Sequence, residues 1–202
     1  MSWFQMSIKA VDARNQASAA EIVECFRDER CLLTKLAFLI TEDQASADRS
    51  VDNACAMTLH GNSPFRDWLL EWAKAATITT AISQKLPALR NCEAEYEHKS
   101  CNHAEHSWQC DAGEREASLN LIVNADPRKL IAELDPLCRA ILVLKLAIRS
   151  SIQDCVLRLN VSRAAVLAAN CQAMAWLHEL QLKGMEAYPN ASCALQESLQ
   201  GS

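Results

Sequence analysis

Glycine is nearly missing from this chain: four residues in 202, at positions 61, 113, 184 and 201. That excludes a glycine-rich phosphate loop and a Gly-x-Ser-x-Gly nucleophile elbow. Aromatic residues make up only 5%, so the core is expected to be aliphatic. No run of 18 apolar residues occurs, and no membrane span is expected. The first residues, MSWFQMSIKAVDARNQ, lack the basic stretch and apolar run of a signal peptide. A cytoplasmic protein is therefore expected. Positive charge is also scarce. The net charge is −5, and 131–202, the most balanced segment, holds six basic and six acidic residues. A protein held mainly by nucleic-acid phosphates usually shows a basic face.

Carboxylate pairs such as Asp28-Glu29 and Glu42-Asp43 fall where solvated helix ends belong. They suggest no catalytic constellation, so neither an enzyme nor a cofactor is expected. The ten cysteines are scattered, and in a reducing cytosol most are expected as free thiols, several acting as small buried hydrophobes. Cys92, His98, Cys101, His103, His106 and Cys110 form the one metal-like cluster. Too little chain separates Cys101-x-His103 from His106-x3-Cys110 for a two-knuckle zinc site, so no metal is assigned.

What the chain has in quantity is alanine, leucine and helical periodicity, which predict an all-α protein. Apolar residues recur from Ala19 to Ile40, read as one helix that Thr41-Glu42-Asp43 interrupts. They recur again over 47–59 and, after the Gly61-Asn62-Ser63-Pro64 turn, from Phe65 to Ile82. Residues 91–118 break the pattern and read as an acidic linker. The second half centres on Leu134–Leu177. There Ser151 and Asp154 suit a capping box, and Asn160 suits a left-handed helix end. Ser162 then caps a longer helix. Short helix, tight turn and long helix make a helix-turn-helix, although an αα-hairpin without nucleic-acid contacts has the same periodicity. The predicted organisation is an N-terminal segment 1–20, a helical domain 21–90, a linker 91–127, a helix-turn-helix domain 128–182 and a tail 183–202. Trp68, Leu69, Trp72, Leu142, Leu159, Val166, Ala173 and Leu177 are predicted to be buried.

Two blocks resemble bacterial extracytoplasmic-function sigma factors. Leu134-Asp135-Pro136, Ile141-Leu142-Val143-Leu144-Lys145, Asp154-Cys155-Val156 and Asn160-Val161-Ser162-Arg163 resemble successive motifs of the family's region four. Val166, Ala173 and Leu177 stand at its core positions. Ala47-Asp48-Arg49-Ser50-Val51-Asp52 and Phe65 to Lys74 resemble region two. The resemblance implies two helical domains, binding to RNA polymerase core and promoter DNA, and a role in directing transcription initiation. It places polymerase contacts at Asp48, Arg49, Val51 and Asp52, and promoter melting at Lys74, Thr77 and Lys85. Promoter reading falls to Ser162, Arg163, Leu167, Ala168, Cys171 and Gln172.

Those positions differ in chemistry from the family's. Arg163 is the one cation between Ser162 and Leu177, and phosphate contacts supply most non-specific DNA affinity. A second reading therefore stands beside the first: a sigma-fold protein that has lost DNA binding and works through protein contacts, with a regulatory partner. The stripe Leu167, Ala168, Cys171 and Ala175 is expected to be covered, by the same chain or by a partner, because an exposed apolar stripe marks a contact.

Overall fold

The computed structural model describes residues 15–96 and 112–187, and among them the chain is all-α, with no strand. In order the helices are α1 (Ala19–Asp28), α2 (Arg30–Thr41), α3 (Gln44–His60), a 3-10 turn (Arg66–Trp68), α4 (Leu69–Asn91), α5 (Glu93–Tyr96) and α6 (Ala112–Asn124). After these come α7 (Pro127–Glu133), α8 (Pro136–Ile148), α9 (Ile152–Leu159) and α10 (Arg163–Ala187).

Side-chain caps account for most of the starts. Ser18 and Glu21 close a capping box on α1: Ser18 N donates to Glu21 Oε2 at 2.8 Å, and Glu21 N to Ser18 Oγ at 3.3 Å. The Ser18 hydrogen bonds, with Arg66 alongside, draw the Glu21 carboxyl down to about 2. Asp43 caps α3, accepting from Ser46 N at 2.8 Å. Asp126 and Asp135 cap α7 and α8, each with proline at the first helical position, where no N–H is needed. Ser151 and Asp154 form the predicted capping box on α9, and Asn160 ends that helix at φ 53° as its type allows.

The single helix predicted over 19–40 is two. It breaks at Glu29, whose ψ of 7° leaves the helical path. The break lets Ile22, Phe26 and Leu33 join a smaller apolar cluster with Val51, Ala54, Leu69 and Ala73, while Leu36 and Ile40 enter a larger one. The larger cluster crosses between the two sequence blocks: Leu36, Ile40, Ile78 and Ile82 belong to it together with Leu137, Ile141, Leu144, Leu159 and Leu177. The stretch predicted as linker contributes as well, through Tyr96 and Ile122. Helix α10 runs past 182 into the segment read as tail.

Six of the eight residues predicted to be buried are buried: Leu69, Leu142, Leu159, Val166, Ala173 and Leu177. Trp68 and Trp72 are not; they are 68% and 47% exposed. The inward face of α4 is taken by Leu69, Ala73, Thr77, Ile78 and Ala81, against Ala47, Val51 and Ala54 of α3. Trp68 ends the 3-10 turn before α4 begins, so it does not share the helical register that its spacing implied.

Among the described residues one buried hydroxyl is unsatisfied. Thr79 and Thr80 each donate to the carbonyl four residues back, at 2.7 and 2.8 Å, but Thr77 Oγ1, fully buried on the same helix, has no hydrogen-bond partner. Thr77→Val keeps the shape and removes the unpaired group, so it is expected to stabilise the fold by about 1 kcal/mol. A urea midpoint that rises with unchanged slope is the check; an unchanged or lower midpoint would show that the hydroxyl is satisfied.

The blocks are also joined by a charge. Arg139 of α8 is 2% exposed. Its Nε donates to Leu39 O at 3.0 Å, its Nη1 to Ile131 O at 3.2 Å and to Leu134 O, and its Nη2 pairs with the Glu42 carboxylate. Burial pushes the guanidinium down to about 10, so it remains charged at neutral pH. Glu42 reaches it from the end of α2 in the left-handed conformation, at φ 61°.

Candidate functional site

The residues assigned to promoter reading lie at the start of α10, and the chain's own linker helix sits against them. Ser162 and Arg163 are exposed, Leu167 is half-buried and Ala168 is buried. Ser162 Oγ accepts from Ala165 N at 3.3 Å, the cap predicted for this helix. The backbone N–H of Ser162 donates to Glu93 Oε1 of α5 at 2.7 Å. A helix N-terminus attracts anions through its free N–H groups and its dipole. Here a carboxylate from the same chain stands beside those groups.

Three residues further along α5, Tyr96 is 1% exposed. Its hydroxyl donates to the Asp135 carboxylate, contacts Cys138 Sγ at 3.0 Å and lies 3.2 Å from Gln172 Oε1. Burial, reinforced by the Asp135 hydrogen bond, holds this phenol well above its ordinary pKa. Asp135 meanwhile accepts from Leu137 N and Cys138 N at 2.9 and 3.1 Å, and Cys138 Sγ donates to Ala169 O of α10 at 3.3 Å. A single aromatic side chain thus ties the start of α8, the middle of α10 and the linker into one polar knot within an apolar surround.

The predicted cover of the apolar stripe is partial. Ala168 is buried, Leu167 and Cys171 are half-buried, and Ala175 is exposed. Cys171 is disulfide-bonded, whereas Cys25, Cys31, Cys55, Cys92, Cys138 and Cys155 are free. Of the Cys/His cluster weighed as a metal site, all but Cys92 lie outside the described residues.

The face assigned to polymerase binding is on α3. Asp48 and Asp52 are partly solvent-accessible and both face Arg30 of α2, at 3.8 and 2.7 Å. Asp48 also accepts from Gln44 Nε2 at 3.1 Å, and exposed Arg49 bonds Ser46 Oγ at 2.8 Å. Val51 is only 1% exposed and supports this face from beneath. Arg30 pairs with two of these carboxylates, a contact the sequence does not show because nothing local sets the register of α2 against α3. The residues assigned to melting are mostly shut in. Lys74 is buried and paired with Glu71 at 2.9 Å, Thr77 is in the core, and Lys85 is half-buried.

Among the described residues, no helix is long and apolar enough to cross a membrane. No family model, curated protein or solved structure matches the chain.

Proposed function

We propose that this is a sigma-factor-like transcription protein that binds RNA polymerase core and acts through protein contacts rather than by reading duplex DNA with α10. The polymerase half of the reading rests on the sequence resemblance of Ala47 to Asp52 and Phe65 to Lys74 to region two. An accessible Asp48/Arg49/Asp52 surface supports it. The observation that carries the other half is the Glu93 carboxylate, hydrogen-bonded at 2.7 Å to the backbone N–H of Ser162, the residue that caps the recognition helix. A phosphate approaching that helix start meets an anion already in place. Gln172, one of the few side chains on α10 able to read a base edge, is exposed, with its Oε1 3.2 Å from the Tyr96 hydroxyl.

The test has two arms. The full chain is expected to capture purified core RNA polymerase, and to bind random duplex DNA weakly at low salt with a shallow salt slope. No capture of core would remove the polymerase assignment. Sub-micromolar DNA affinity, with a slope equivalent to about six phosphates or more, would restore promoter reading as the function.

A further inference from the structure

The described residues begin beside two exposed aromatic rings. Asn15 is helical, and Gln16 forms an isolated antiparallel bridge with Phe65. Ala17 N donates to Pro64 O at 2.8 Å, and Ala17 is 3% exposed, so this entry point is fixed to the fold. Phe65 and Trp68 are 43% and 68% exposed, with their rings edge-on at a centroid distance of 6.0 Å. The charges alongside do not balance. Arg66 pairs with Glu21 at 2.7 Å and Lys74 with Glu71 at 2.9 Å, but exposed Asp67 forms no ion pair among the described residues. The 14 residues before Asn15 read MSWFQMSIKAVDAR. At helical spacing Phe4, Ile8 and Val11 make one apolar stripe, with Ser2, Gln5 and Lys9 on the other side. So short a helix is marginal in water by itself, and a helical Asn15 therefore asks for a surface that buries the stripe.

We infer that the chain's own residues 1–14 occupy this surface, continuing the helix that ends at Asn15 and laying Ile8 and Val11 on Phe65 and Trp68. The reach fits. Residues opposed in an antiparallel bridge stand about 5 Å apart, and a helix places Val11 and Ile8 about 6 and 10 Å from Asn15 along its axis. The register that sets Gln16 on Phe65 carries Arg14 toward Asp67, which supplies the missing cation. The tether decides between this occupant and a separate molecule. A segment joined to the surface by a hydrogen-bonded hinge is present at an effective concentration on the order of millimolar or above. It also keeps clear of the translational and rotational loss that a free partner suffers. Two aromatic rings are too little for a stable dimer, but they suffice for a segment already held beside them. This inference goes beyond the polymerase reading and does not depend on it.

Amide hydrogen exchange of the full chain is the test. Residues 4–11 are expected to exchange about tenfold or more slowly than in a free peptide of the same sequence, equally at low and high protein concentration. Trp68→Glu on the surface and Ile8→Asp on the segment should each remove that protection. Trp68 lies outside the buried core, and exchange at buried Leu142 and Leu144 checks in each variant that the rest of the fold is intact. The surface variant discriminates most sharply, because it changes nothing in the segment itself. Exchange over 4–11 as fast as in the free peptide would overturn the proposal. So would protection that survives either substitution, which would place the segment elsewhere on the molecule. Protection that disappears on dilution would also overturn it, and would assign the surface to a second copy of the chain.

Discussion

Arg139→Leu is expected to lower the stability of the fold by about 3–5 kcal/mol, the usual cost of breaking a buried, hydrogen-bonded charge from one side. The leucine fills much of the space but satisfies nothing. The carbonyls of Leu39, Ile131 and Leu134 lose their donor, and the Glu42 carboxylate loses its counter-charge. Arg139→Lys should recover only part of the loss, because an ammonium cannot span carbonyls on two helices and a carboxylate with the geometry of a planar fork. The ordering Arg, then Lys, then Leu in urea midpoint is the expected result. A loss below about 1 kcal/mol for the leucine variant, within the range of ordinary surface hydrogen bonds, would mean that the pair with Glu42 does not join α2 to α8 in solution.

Tyr96→Ala is expected to cost a similar amount, about 3–5 kcal/mol, as for other large aromatic side chains removed from a core. Its consequence for α10 is more specific. With the ring gone, α5 loses its anchor, and the hydrogen bond from Ser162 N to Glu93 should open with it. Amide exchange at Ser162 is therefore expected to rise well beyond what global destabilisation accounts for. Tyr96→Phe separates packing from hydrogen bonding. It keeps the ring, and Asp135 still caps α8 through Leu137 N and Cys138 N, so its cost should be near 1 kcal/mol with Ser162 still protected. If Tyr96→Ala left exchange at Ser162 unchanged, the linker helix would be held on α10 by something other than this ring.

The disagreements between sequence and structure share a cause. Trp68 and Trp72 have the spacing of core residues, and their size argues for burial, yet both are exposed. Burial depends on which face of a helix meets its neighbour, and Leu69, Ala73, Thr77, Ile78 and Ala81 take the inward face of α4. The linker was read as polar because it is, but one aromatic residue within it, Tyr96, becomes a buried anchor. That stretch holds two aromatics, Tyr96 and Trp108, and nothing local singles out Tyr96 as an anchor. What it anchors to lies 39 and 76 residues away, at Asp135 and Gln172, beyond the reach of any local pattern.

What the sequence determined by itself is the local chemistry. The capping box of Ser151 and Asp154, the left-handed end at Asn160, the prolines after Asp126 and Asp135, and the inward apolar face of α8 all follow from bonds made within a few residues. The all-helical class follows from the same rules. Only the tertiary structure decided that Arg139 reaches across to Leu39 and Glu42, that Glu93 and Tyr96 lie on α10, and that Met57, Trp72 and Arg158 line one groove. Those depend on the distance and rotation between helices, which are set by the fit of many side chains at once rather than by any segment's own preference.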